Sequence, residues 1–330
     1  MPSSRTGSPL EFPPFRPRAP WWGPDLQTLR NFFAARAGRR PVLNGERISL
    51  PMRDGSGDRL AALLTPAAGK KPPVVLIHGL TGCETSMNMA RAAVHHRGQG
   101  RPVLRLNLRG AGPSRATCKG DYHAGCSRDL ADALAALIAD APDLAKNGVF
   151  LFAVSLGANV MLKFLAEYGA DFPVRAAVSV SAPIDLAAAS RAILRRRNAP
   201  YHRWLLARMK LDCGGSDISA SERAAIANAR TVYEFDDRYV APRHGFEGAD
   251  HYYDECRAGR FLDAIRTPTL IVHARNDPWI PADAYLARDW SGNPKLTPLL
   301  PRAGGHVGFH DPGHAASWHD RCAAAFFAAH

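Results

Sequence analysis

The 330 residues are 46% hydrophobic and 22% charged, the balance of an ordinary globular enzyme or binding protein able to bury a large core in one large domain or two smaller ones. No run approaches the roughly 18 consecutive apolar residues of a membrane span, and the proline-rich start lacks the apolar centre of a signal peptide, so a cytoplasmic location is expected. The six cysteines are scattered without C-x-x-C spacing, which reads as free thiols rather than a disulfide or zinc framework. The net charge of +12 favours anionic partners, but the basic residues are mostly arginines spread along the chain. Their densest cluster, Arg191 with Arg195, Arg196 and Arg197, has no interleaved aromatics. It is expected to be a solvated helix face, with membrane-surface contact the lesser reading and nucleic acid excluded for want of any motif.

In chain order, residues 1–45 form a Pro- and Arg-rich extension whose Trp21-Trp22 pair and helical pattern near Leu29 suggest docking on the body. Residues 47–50 and 60–64 read as hairpin strands around Asp54-Gly55. Short apolar runs at 74–77, 103–108, 149–154 and 175–181 alternate with helical stretches, including an amphipathic one at 129–141 with Leu130, Leu134, Leu137 and Ile138 on one side. Such alternation specifies an α/β fold with a mainly parallel sheet covered by helices on both faces, its active-site loops at the carboxyl ends of the strands. Residues 186–262 break the rhythm with helical segments and aromatics but no strand, as a helical cap insertion would. Strands resume at 269–273 and 296–300, and a final helix is expected over 315–329. The predicted core is therefore 46–185 together with 263–330.

One junction stands out. The buried strand 149–154 ends at Ser155, and Leu156-Gly157 open a helix. A lone hydroxyl at a strand-to-helix turn has the layout of a nucleophile elbow, although Ala153 replaces the usual first glycine of G-x-S-x-G. A serine hydroxyl needs a base to take its proton, and that base needs an acid to hold its tautomer. Among 13 histidines, His306 is favoured as base because Gly304-Gly305 and Gly308 place it in a loop beyond the last strand; His78, His310 and His314 are the alternatives. Asp277 follows the strand 269–273 and is the favoured acid, with Asp185 second. The backbone N–H groups of Leu80, in the loop after an early strand, and Leu156 are expected to form an oxyanion hole. His78, His123, His244 and His251 show no metal-ligand spacing, and neither metal nor organic cofactor is expected.

The segments His78-Gly79-Leu80-Thr81-Gly82, Asn107-Leu108-Arg109-Gly110, Tyr122-His123-Ala124-Gly125, Ser155-Leu156-Gly157, Arg275-Asn276-Asp277-Pro278 and Gly305-His306-Val307-Gly308-Phe309, with Leu26-Gln27-Thr28 in the extension, together resemble the YheT-like family of α/β-hydrolases. That family is similar to mammalian α/β-hydrolase-domain lipases. The resemblance spans nearly the whole chain. It implies a serine esterase with a helical cap, and the aromatic residues of 186–262 suggest that its small-molecule ester has an apolar acyl or aryl part. A thioesterase or acyltransferase on the same three residues, or a binding module that keeps only the fold, are the competing expectations. The family leaves natural substrate and oligomeric state open.

Overall fold

The computed structural model describes residues 10–213 and 217–330; the first nine residues of the extension lie outside it. An eight-stranded sheet forms from β1 (Glu46–Pro51), β2 (Arg59–Thr65), β3 (Val74–Ile77), β4 (Val103–Leu106), β5 (Val149–Val154), β6 (Val174–Val180), β7 (Thr269–Val272) and β8 (Leu296–Leu299). Their order is β1-β2-β4-β3-β5-β6-β7-β8. β2 runs antiparallel to both of its neighbours, and all pairs from β4 through β8 are parallel.

The continuous apolar runs seen in the sequence have a direct cause in this topology. Parallel strands are covered on both faces, so both alternating residue sets must be apolar. Val75, Ile77, Leu151 and Ala153 point into a core capped by the helices Ser127–Asp140 and Ser155–Glu167. Val74, Leu76, Phe150 and Phe152 point the other way, against Met87–Gly98 and Trp318–Ala329. The methyl of Ala153 is fully buried in the first of these cores.

Three boundaries differ from the sequence pattern. The β1–β2 connection is a long loop rather than a two-residue turn at Asp54-Gly55. Asp54 and Asp58 instead join Asp129 in holding the buried Arg109 guanidinium, at 2.8, 2.8 and 2.7 Å. β4 ends at Leu106, just before Asn107, whose side chain bonds the Ala61 carbonyl and Glu84. The last helix starts at Trp318 because Ser317 and Asp320 form a capping box there.

Between β6 and β7 the described residues hold helices and no strand, the longest being Ala199–Asp212. They have an apolar centre of their own in Leu205, Leu206, Met209, Phe235 and Tyr239. A second cluster, with Tyr252, Tyr253, Ala124 and Leu156, ties them to the sheet's carboxyl edge. Residues 10–45 lie along the body: Phe15 meets Phe309 and Trp318 at ring distances of 5.8 and 5.3 Å, and the helix Gly23–Arg36 follows.

Burial leaves many histidines neutral in the folded chain. Desolvation pushes His78, His244 and His273 down to about 4, and His123 and His319 to about 3, from an ordinary 6.5. Below 6.5 the unfolded chain therefore binds protons that the folded one refuses, so this stability is full above 6.5 and is lost as the pH falls toward 4. Asp236 and Asp320, raised by burial to about 7, oppose the trend because the folded chain keeps their protons. The histidines outnumber them. The melting temperature is accordingly expected to fall between about pH 7 and about pH 5 in a thermal scan; a constant or rising value would contradict this balance.

Candidate active site

Four strand ends deliver the polar groups. After β5 the chain turns directly into the helix Ser155–Glu167, and Ser155 is held at φ 52°, a left-handed conformation that a non-glycine residue adopts only at a cost of about 1–3 kcal/mol. The turn is this sharp because the helix packs close under the loop after β3. A side chain at Gly157 would collide with the His78 carbonyl oxygen. The loop after β7 brings Asp277, and the loop after β8 brings His306.

The three side chains meet. Ser155 Oγ lies 2.9 Å from His306 Nε2, and His306 Nδ1 lies 2.8 Å from Asp277 Oδ2. A carboxylate facing Nδ1 fixes the tautomer: Nδ1–H donates to Asp277, and the Nε2 lone pair is left to accept the serine proton. The other Asp277 oxygen accepts the N–H groups of Trp279 and Ile280 at 2.8 and 3.0 Å. Burial alone would raise this carboxyl, but the His306 ring and its hydrogen bond, His273 and the Ile280 N–H together hold it below the ordinary carboxylate range. Trp279 stacks on the imidazole with centroids 4.7 Å apart.

The other candidates are occupied elsewhere. Asp185 accepts from Ala188 N–H at 2.8 Å and caps the helix Leu186–Ile193, while Asp277 is the acid within hydrogen-bonding distance of His306. His78 uses both ring nitrogens to shape its loop, donating from Nδ1 to the Gly79 carbonyl and accepting the Leu108 N–H at Nε2. The Tyr122 hydroxyl accepts the Thr81 N–H at 2.7 Å, fixing the same loop, so that Leu80 and Leu156 both line the space beside Ser155. His310 lies against Arg30, and its backbone is held by Gln27.

Gln27 and Thr28 have a part that the sequence pattern did not reveal. The fully buried Gln27 amide donates to the His310 carbonyl at 2.9 Å and accepts the His310 N–H at 2.7 Å. Thr28 Oγ1 accepts the His306 N–H at 2.8 Å while donating to the Pro24 carbonyl. Backbone meets backbone here: Gly305, at φ 60°, has no room for a side chain beside Pro24 and Thr28. The helix of the extension is thus bolted to the loop that carries His306. The only signal for this in the sequence was the Leu26-Gln27-Thr28 string itself.

Beside Ser155 lies a cavity of about 1090 Å³, lined by His306, Leu80, Phe32, Leu205, Phe235 and Tyr239 among others. Among the described residues no group of histidine, cysteine and carboxylate side chains is placed to hold a metal ion, and no helix is long and apolar enough to cross a membrane.

A parallel-majority sheet in this strand order, with serine, histidine and carboxylate meeting at its carboxyl edge, defines an α/β hydrolase. The chain belongs to that family, whose model matches residues 74–329. It is 32% identical over 273 residues to a protein of Escherichia coli K12 described as "Putative esterase YheT", covering 80% of this chain and 78% of that one. Similarity extends to a monoacylglycerol lipase of Saccharomyces cerevisiae (26% identity, 76% of this chain, 57% of the relative) and to mouse phospholipase ABHD3 (27%, 73% and 59%). An esterase of Pyrococcus furiosus shares the fold, with a TM-score of 0.56 at 16% identity over 91% of each chain.

Two substitutions read out these contacts. Ser155→Gly removes the φ strain and is expected to stabilise the fold by about 1 kcal/mol in chemical denaturation. Gln27→Ala leaves the buried His310 N–H and carbonyl unpaired and is expected to cost about 1–3 kcal/mol in the same measurement.

Proposed function

We propose that this chain hydrolyses carboxylic esters through an acyl-enzyme on Ser155. The reading is supported above all by the unbroken relay from Ser155 Oγ through His306 to Asp277, at 2.9 and 2.8 Å. His306 Nε2 takes the hydroxyl proton as Oγ attacks the ester carbonyl, and Asp277 stabilises the imidazolium that forms. The tetrahedral oxyanion is received by the N–H groups of Leu80 and Leu156 at the positive end of the helix Ser155–Glu167. His306 returns the proton to the leaving alcohol. Water, deprotonated by the same nitrogen, then cleaves the acyl-enzyme and frees Ser155.

The helices of 186–262 act as a cap over this centre. Their aromatic and aliphatic side chains give the cavity an apolar wall, which suits an ester with an apolar acyl or aryl part. Part of that aromatic content serves the cap's own packing, since Phe235 and Tyr239 belong to its centre. The names of the relatives, esterase and lipase among them, agree with this substrate class.

A fluorophosphonate probe is expected to label the wild type and not Ser155→Ala; equal labelling of both would reject the nucleophile. With p-nitrophenyl esters from acetyl to palmitoyl, Asp277→Asn is expected to lower kcat by about 10³–10⁴-fold through loss of the correct tautomer, whereas Asp185→Asn leaves it nearly unchanged. The reverse pattern would move the acid to Asp185.

A further inference from the structure

Two helices that wall the cavity also leave apolar stripes in solvent. On the helix Gly23–Arg36 and the residue before it, Trp22 (62% exposed), Leu26 (42%) and Phe33 (47%) recur at helical spacing. On Ala199–Asp212, Trp204 (42%) and Leu211 (73%) lie two turns apart with Arg208 between them. The helices touch, since Phe32 meets Trp204 edge-on at 6.1 Å and Asp25 accepts from both Tyr201 and Arg197. A row of rings, Trp21, Phe33, Phe32 and Trp204, joins the stripes. Six of the nine large hydrophobics exposed among the described residues belong to these helices or to Leu194 just before the second. Such concentration marks an interaction surface.

The charge of the same region is one-sided. Segments 23–40 and 195–212 carry ten arginines and lysines against Asp25 and Asp212. Those two carboxylates are already paired, with Arg197 and Arg208. Arg30 is pushed down to about 10 by burial and by the surrounding Arg91, Arg18 and Arg39, as expected where cations crowd without counter-charge.

We propose that this surface docks on an anionic lipid bilayer. Trp22, Leu26, Phe33 and Leu211 enter the headgroup–acyl boundary, and the arginines meet lipid phosphates. Tryptophan and arginine beside aliphatic side chains suit that boundary, where one end of a side chain is apolar and the other wet. A second copy of the chain is a poorer occupant, because a self-complementary contact would set this cationic face against itself. Trp204 both lines the cavity and reaches solvent, so the patch and the cavity share a wall. The docking itself does not depend on the esterase reading.

The full chain is mixed with phosphatidylcholine vesicles, with and without phosphatidylglycerol, and bound protein is measured by co-sedimentation at low and high salt. The wild type is expected to sediment with the anionic vesicles, more weakly at high salt. Leu26→Ser/Phe33→Ser is expected to bind at least about tenfold more weakly while hydrolysing a soluble short-chain ester as before, since neither side chain lines the cavity. Should that double variant not fold, Arg196→Glu/Arg203→Glu supplies an independent arm, expected to lose the preference for phosphatidylglycerol. A wild type that stays in the supernatant with anionic vesicles, or variants that bind as it does, would overturn the proposal. So would a dimer in light scattering that Leu26→Ser/Phe33→Ser splits, which would assign the face to a second copy. An inactive wild type that still sediments would remove the esterase reading and leave the docking intact.

Discussion

The loop after β3 meets the turn after β5 with no side chain between them, and the remaining polar groups of the site are arranged around that contact. Gly157 abuts the His78 carbonyl, which forces the helix start close under β3 and leaves Ser155 in a left-handed conformation at the sheet's edge. Relaxing the turn would free the serine but withdraw the helix N-terminus from the space above it. The strain is sustained because both central strands are buried on two faces and their helices cannot move apart without opening a core.

Much of this was legible in the chain, and the reasons are particular. Strands covered on both faces need unbroken apolar runs, so β3 through β7 declared themselves and the polar residues just beyond them became conspicuous. Ser155 and His306 stood out by their settings, a hydroxyl closing an apolar run and an imidazole among glycines. The preference for Asp277 over Asp185 had little local pattern behind it, because both follow a strand. It turns on which carboxylate is engaged by a helix N-terminus and which by an imidazole, and Asp185 is engaged by the Ala188 N–H. The β1–β2 loop misled for a similar reason. Asp54-Gly55 has turn chemistry, yet its aspartate is drawn, with Asp58 of the same loop, into the arrangement around Arg109, whose further partner Asp129 comes from a distant segment.

Gln27 and Thr28 were the least legible of the residues near the site. They lie within an ordinary helix, and their partners stand 283 and 278 positions away. No periodicity carries information over that distance. Their hydrogen bonds nonetheless decide where the His306 backbone sits, and Trp279 and Asp277 then hold the ring from its face and its edge. The imidazole is therefore located by three separate parts of the chain, of which only its own loop and that of Asp277 belong to neighbouring strands.

That distance has a bearing on when the site can exist at all. Synthesis reaches the helix of the extension well before its partner loop, which follows 278 to 283 positions later. Until His306 and His310 emerge, Gln27 and Thr28 have nothing to close upon, and the Gln27 amide must remain hydrated or bind elsewhere. Joining the two ends carries a loop-closure entropy that grows only slowly with length, so the long wait adds little to the thermodynamic cost. Its effect is on timing: a nascent chain already possessing Ser155, its helix and much of the sheet remains without a located imidazole until the loop after β8 has been made.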